Sequence, residues 1–303
     1  MERKQILATT SLLVLFVLSL TNCKTKSDND EETLLLLAAA SLRTCANSAF
    51  TGTTVVNSTA TLDTNTDCIT GMTSSMSSDL PAWIRNNFKC SVGSVSGSNY
   101  VFRAQNIPNN KSYYFGSSSP MYESLAAGQK SAGNNQIQSQ CLVYTIPSSP
   151  AAKSGTKVGT QSGYVSVGIT VNGLAIFNNA AAAPDTLAAE QQTFDKYNGH
   201  PQSSGVYHHH ARPLNVDASN ASALLGMLID GFAVYGSDCK DASNNTTTPT
   251  IANGDLDANH GHTTTTQHFA TLTYHYHYSQ DPTATIPTLI GSFFHGTPGT
   301  VSN

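Results

Sequence analysis

Polar and apolar side chains alternate most strictly in T-Y-H-Y-H-Y, Thr273 to Tyr278. Successive side chains of a β-strand point to opposite faces, so His275 and His277 share one face and the tyrosines the other. V-Y-H-H-H, Val206 to His210, repeats the arrangement: it pairs His208 with His210 and turns His209 away beside Tyr207. Two further segments read as hairpins. V-S-V-G-I-T-V-N-G-L-A-I-F (Val165 to Phe177) turns at Asn172-Gly173, and L-L-G-M-L-I-D-G-F-A-V-Y-G (Leu224 to Gly236) turns at Asp230-Gly231. Asn-Gly between apolar runs predicts a type I′ turn with φ > 0 at both central residues. From about Leu80 onward, short apolar runs such as Tyr100–Arg103 and Cys141–Ile146 lie between Gly, Pro, Ser and Asn clusters, a β pattern.

The hairpins align without a gap: Gly168 with Gly226, Asn172 with Asp230, Gly173 with Gly231, Ala175 with Ala233, Phe177 with Tyr235. Each is followed by Asp-x-x-x-Gly-His (Asp195 to His200, then Asp257 to His262), and each of those by Tyr-His-x-His. A unit about sixty residues long therefore occurs twice, which is too few copies for a solenoid. The expected fold is mainly β: a single sandwich-like domain of twisted antiparallel sheets whose two repeats face each other about a pseudo-two-fold axis.

The N-terminal pattern differs. Arg3 and Lys4 precede an apolar run, Ile6–Leu20, that is too short for a comfortable membrane span and reads as a signal peptide. It leads into L-S-L-T-N-C, which resembles a bacterial lipobox ending at Cys23, with Asn22 in place of the usual small residue. The expectation is a lipoprotein signal peptide over 1–22 and lipidation of Cys23, so that acyl chains hold an exported chain on the cell envelope, at the outer membrane or cell surface. Residues 23–46 then form a lipidated start, a polar tether (Lys24 to Glu32) and a short helix (Thr33 to Leu42). Residues 47–79 are a Ser/Thr-rich segment, and 80–303 the β domain.

Composition narrows the function. Only 11% of the 303 residues are charged, and the formal net charge is -4. Phosphate binding needs a basic face, and no polybasic cluster occurs, so nucleic acid is excluded as a partner. Besides Cys23 the chain has Cys45, Cys68, Cys90, Cys141 and Cys239, an odd set. In an oxidising compartment at most two bridges form among these five, and the spacing does not assign them. C-x-x-C does not occur, which speaks against a thiolate zinc site.

All ten histidines lie between His200 and His295. Two imidazoles on alternate strand residues, with Cα atoms roughly 6.5–7 Å apart, can converge on one ion at about 2.0–2.1 Å. The first-choice ligands are His208, His210, His275 and His277, four imidazoles meeting where the copies pair. His200 and His262 join from the Gly-His loops, where Gly199 and Gly261 supply backbone freedom. Asp195 and Asp257 are placed to accept an imidazole N–H and fix its tautomer. His260 and His268 read as loop or surface residues, His209 as packing, and His295 stays open. Imidazole-rich sites suit copper or zinc, and the sequence does not choose; no cysteine or methionine is expected at the site, which speaks against blue copper.

These motifs resemble the YHYH domain family of secreted bacterial proteins. The matching stretches are N-G-L-A-I-F, N-G-H-P-Q, V-Y-H-H-H, D-G-F-A-V-Y-G, L-D-A-N-H-G-H, T-Y-H-Y-H and I-G-S-F-F-H-G, with I-P-N-N and I-P-S-S-P as weaker matches, spanning roughly Leu80 to Gly296. His209 departs from the tyrosine of the first Y-H-Y-H, and His260 interrupts the second Asn-Gly-His. Cysteines that the family often carries near the Gly-His loops and in the last motif are absent. The resemblance implies the fold and the metal-site residues, and no reaction. Three functions stand open: a membrane-anchored protein that stores, senses or buffers copper or zinc; a metalloenzyme using the same cluster, with Tyr207, Tyr274 or Tyr276 in proton or redox steps; and an adhesion domain with structural histidines. H-E-x-x-H, G-x-S-x-G and G-x-x-x-x-G-K-[ST] are all absent. Oligomeric state is not legible.

Overall fold

The computed structural model describes Cys68 and residues 74–303 apart from Ser162, Ala218 and Thr283. The expected signal peptide, Cys23, tether, helix 33–42 and most of segment 47–79 lie outside the described residues. Among the described residues no helix is long and apolar enough to cross a membrane.

The fold is mainly β, with two large sheets around one core. A five-stranded sheet runs in the order β1 (Ser75–Met76), β2 (Ser91–Ser96), β3 (Asn99–Ala104), β4 (Leu142–Pro147) and β15 (Thr300–Ser302). Its alternate residues Phe102, Leu142, Tyr144 and Ile146 are fully buried and pack with Ile169, Met227 and Val234 of the second sheet. The strands thus read out their period of two as one buried face.

The second sheet contains both repeats. Its strands are β5 (Gly168–Thr170), β6 (Ala175–Ile176), β7 (His200–Pro201), β8 (Tyr207–His209), β9 (Leu224–Leu228), β10 (Ala233–Tyr235), β13 (Gly261–Thr264) and β14 (Thr273–His277). A separate ribbon pairs β11 (Cys239–Lys240) with β12 (Thr246–Thr247). The spatial order is β13-β14-β10-β9-β5-β6-β8-β7, a palindrome of equivalent strands. The copies meet where β5 and β9 pair antiparallel, with Ile169 opposite Met227. Gly168 and Gly226 flank that pair because a Cβ would come within 2.7 Å of Met227 O and 2.3 Å of Ile169 O respectively.

Two expectations change here. The repeats lie side by side in one sheet and do not face each other across the sandwich; the other layer is built from sequence before and after them. The sheet is also mixed, since β6 pairs with β8, and β10 with β14, in parallel.

The hairpin turns differ from type I′ as well. Only the glycines take positive φ, +80° at Gly173 and +93° at Gly231. Gly173 N–H donates to Thr170 O, and Thr170 N–H to Leu174 O; Gly231 and Leu228 repeat the pattern with Leu228 O and Phe232 O. This is a three-residue loop, a turn closed by a left-handed residue. Asn172 and Asp230 are spared for side-chain bonding: Asn172 accepts from Thr170 Oγ1, and Asp230 from Tyr276 Oη at 2.6 Å.

Candidate metal centres

In each copy the Gly-His segment pairs antiparallel with the Tyr-His-x-His strand, so that His200 stands opposite His208 and His262 opposite His275. The strand alternation adds His210 and His277 to the same faces. Three imidazoles therefore gather at each outer end of the sheet. Ring centroids are 4.5 Å apart for His200–His208 and 4.9 Å for His208–His210; for His262–His275 and His275–His277 they are 4.7 and 5.0 Å.

The six predicted histidines thus form two clusters. The expected meeting of His208, His210, His275 and His277 does not occur, because β6, β5, β9 and β10 lie between β8 and β14. Five strand spacings of about 4.8 Å separate the clusters by roughly 24 Å along the sheet.

A fourth donor completes each cluster: Glu190 for the first and Cys239 for the second, with all four ligand atoms of each set within 4.8 Å of one another. Glu190 comes from the short helix Leu187–Gln191 and Cys239 from β11. Sequence reasoning missed both, since neither occupies a repeated position. Two weak signals exist. Glu190 is the sole glutamate beyond Glu123, and Cys239 is the sole cysteine within the histidine-bearing region. Cys68 pairs with Cys90, and Cys141 is also disulfide-bonded, which leaves Cys239 as a buried free thiol.

Hydrogen bonding fixes the imidazole tautomers. His208 Nδ1 lies 3.0 Å from Val206 O, His210 Nδ1 2.6 Å from Asn178 O, His275 Nδ1 2.9 Å from Thr273 O, and His277 Nδ1 2.8 Å from Gly236 O. A carbonyl only accepts, so each Nδ1 carries the proton. Thr193 Oγ1 gives its proton to Glu190 O and must accept from His200 Nδ1 at 2.7 Å. In these five histidines Nε2 is left with a bare lone pair turned inward. His208 Nε2 and His210 Nε2 face each other at 3.1 Å, as do His262 Nε2 and His275 Nε2. His200 Nε2, His277 Nε2 and Glu190 Oε2 are buried without a hydrogen-bond partner.

The spacing suits a tetrahedral ion. Metal–nitrogen bonds of about 2.05 Å imply nitrogen pairs about 3.3–3.4 Å apart, and a thiolate at about 2.3 Å implies about 3.5–3.6 Å to nitrogen. Cys239 Sγ lies 3.6 Å from His275 Nε2. Glu190 carboxylate oxygens lie 3.5 Å from His200 Nε2 and 3.6 Å from His210 Nε2.

Asp195 and Asp257 do something other than orient imidazoles, a role taken by backbone carbonyls and Thr193. Asp195 accepts from Ser112 Oγ, Tyr207 Oη and the N–H groups of Tyr197 and Gly199. Asp257 accepts from Tyr274 Oη and the N–H groups of Asn259 and Gly261. Each aspartate therefore ties the first tyrosine of its Tyr-His-x-His strand to the turn before its Gly-His. Burial, reinforced by Asp195 at Tyr207, Asp257 at Tyr274 and Asp230 at Tyr276, pushes these hydroxyls far above their ordinary value, so they remain protonated donors.

The glycine of Gly-His also has an unexpected role. The left-handed residue is the one before it, Asn198 (φ 62°) or His260 (φ 72°). Gly199 and Gly261 are required by space: a Cβ there would stand 2.2 Å from Tyr207 Cζ or Tyr274 Oη. His260, expected near the surface, is fully buried with Nδ1 3.2 Å from Thr288 O. His209 is packing, as expected, donating Nδ1–H to Asn198 O. His268 is half-buried beside Tyr235, and His295 stacks on Tyr274 at 3.4 Å.

Residues 143–252 match the family model described as YHYH protein. This is the family that the motifs resemble. The YHYH match takes in both hairpins, the whole first cluster and Cys239, and ends before His262, His275 and His277. No curated protein and no solved structure matches the chain.

Burial holds all ten imidazoles below their ordinary value, to about 4 for His209, His210 and His275 and about 3 for His277. Burial also raises Glu190 to about 7 and Asp195 and Asp230 to about 6. The unfolded chain protonates its histidines near 6.5 and the metal-stripped fold does so only at lower pH, about 4 or below for His209, His210, His275 and His277, so acid favours unfolding across that window. The three carboxyls act the other way over about pH 4–7 and are outnumbered. The metal-stripped protein should have a lower urea midpoint at pH 5 than at pH 7; an equal or higher midpoint contradicts the assigned burial.

Proposed function

We propose that this chain binds two transition-metal ions, one in each repeat, and stores, buffers or senses copper or zinc on the outside of a bacterial cell. One observation carries the reading. In each cluster two imidazole Nε2 atoms face each other at 3.1 Å inside the protein, and backbone carbonyls on Nδ1 leave those of His208, His210 and His275 unprotonated. Bare lone pairs at that distance repel, and a shared cation turns the contact into two bonds. Donor chemistry supports copper or zinc, both of which suit imidazole. The sequence supports export and attachment through a lipid on Cys23.

The test is metal content by mass spectrometry on untagged protein starting at Lys24 and folded in an oxidising compartment. The parent should hold two ions per chain, and His208→Ala/His210→Ala and His275→Ala/His277→Ala one each. A folded parent that takes up neither copper nor zinc refutes the reading and leaves an adhesion domain with a structural polar network. The anchor is checked separately, by the mass of the mature N-terminus with and without Cys23→Ala.

A metalloenzyme is the second reading, and one observation favours it. A cavity of about 330 Å³ reaches His208, His210 and Glu190 past Phe177, Asn178 and Gln202. A small molecule could reach an ion there, as an open coordination position requires. Azide added to the cobalt-loaded protein should then change the spectrum of the first centre; an unchanged spectrum favours storage or sensing.

A further inference from the structure

The duplication repeats three donors per centre and not the fourth. His200, His208 and His210 correspond to His262, His275 and His277 in motif position, with His200 opposite His208 as His262 is opposite His275. The fourth donors come from unrelated places. Glu190 precedes the first Gly-His by way of a helix between hairpin and loop, whereas Cys239 follows the second hairpin directly, on the ribbon strand β11. Neither has a counterpart at the equivalent place in the other copy. The two centres thus offer the same three imidazoles with a hard carboxylate at one and a soft thiolate at the other.

We propose that the two centres are chemically distinct and select different ions: the thiolate centre (Cys239, His262, His275, His277) takes copper(I), and the carboxylate centre (Glu190, His200, His208, His210) takes zinc(II) or another harder divalent ion. The inference rests on the two-centre reading above. Soft thiolate with imidazole favours copper(I), and a carboxylate shifts preference toward harder divalent ions.

The placement of Cys239 supports a ligand role over a packing role. Its sulfur lies 3.6 Å from His275 Nε2 and 3.5 Å from Thr264 Oγ1, on the side of the cluster where His277 Nε2 is fully buried and unpartnered. It is the cysteine left reduced among the described residues while Cys68, Cys90 and Cys141 are oxidised. A bound ion explains that survival in an oxidising compartment: a coordinated thiolate is unavailable for exchange. The mature chain therefore presents two selective sites at opposite ends of one sheet, roughly 24 Å apart.

The experiment loads the chelator-stripped full domain anaerobically with one equivalent each of copper(I) and zinc(II) per chain. The two half-site variants named above are loaded in the same way. The variant keeping the Cys239 centre should retain copper over zinc by at least tenfold, and the variant keeping the Glu190 centre should retain zinc over copper. Cys239→Ser in the otherwise intact chain should lose at least tenfold of the copper preference and still bind zinc at the first centre. Because the half-site variants could misfold, cobalt(II) supplies a second readout on the intact chain. Cobalt-loaded parent should show a thiolate-to-metal charge-transfer band that Cys239→Ser abolishes while one cobalt remains.

Equal copper-to-zinc ratios in the two half-site variants overturn the inference, as does a charge-transfer band untouched by Cys239→Ser; either leaves the two-centre reading standing. Parent protein that binds no ion at all overturns both.

Discussion

Stripping both ions should lower the melting temperature by on the order of 15 °C or more. An ion held at a thousand times its dissociation constant stabilises the folded state by about 4 kcal/mol. Two such ions give about 8 kcal/mol, and a domain of this size shifts by about 2–4 °C per kcal/mol. The sign follows from the geometry. Without an ion, His208 Nε2 and His210 Nε2 oppose each other at 3.1 Å, and so do His262 Nε2 and His275 Nε2. His200 Nε2, His277 Nε2 and Glu190 Oε2 stay buried without partners. Calorimetry of loaded and chelator-treated protein measures the shift, and each half-site variant should show about half of it. A parent whose melting temperature is the same with chelator, copper or zinc would mean that the clusters are stable as bare polar networks.

The second large effect is expected from one methyl group on a residue that supplies no ligand atom. Gly261→Ala should cost about 3–5 kcal/mol and empty the second centre while the first keeps its ion. The new Cβ would stand 2.2 Å from Tyr274 Oη and 2.3 Å from Cζ. The ring cannot retreat easily, since it stacks on His295 at 3.4 Å and its hydroxyl is held by Asp257 at 3.0 Å. Overpacking costs about 1–3 kcal/mol, and loss of a hydrogen bond to a charged group about 1.5–3 more. The next residue is His262, so the displacement reaches the cluster directly. Gly199→Ala should act likewise on the first centre, where a Cβ would meet Tyr207 Cζ at 2.2 Å. Melting curves and metal content check both. The double variant Gly261→Ala/Tyr274→Leu should recover part of the loss, because a smaller side chain makes room; strictly additive losses would show that the ring is not what the glycine accommodates.

Features written into short segments were legible without the structure. Strand alternation placed His275 with His277 and His208 with His210, and in the fold both pairs do share a face. Gapless alignment of the hairpins exposed the duplication, and the palindromic strand order is its structural form. That a thiol would be left over followed from counting cysteines, and among the described residues Cys239 is the free one. Packing of His209 followed from alternation, since its neighbours point the opposite way.

The remainder depended on which distant segments meet. Hydrophobic periodicity specifies a strand's faces but not its neighbours in the sheet, so the sequence allowed one four-histidine site where the fold has two centres. The hairpins pair at the middle through Gly168 and Gly226, where two backbones approach too closely for a side chain. That contact pushes the histidine strands outward. Glu190 and Cys239 arrive from a short helix and a ribbon strand that have no counterpart in the other copy, where no period marks them. The Gly-His glycines show the same division: the sequence called for a small, permissive residue, and only the packed structure shows that what it makes room for is a tyrosine ring. Local stereochemistry thus determined which side chains could cooperate, and long-range strand order, set by close backbone packing, decided how many centres they build and which fourth donor each receives.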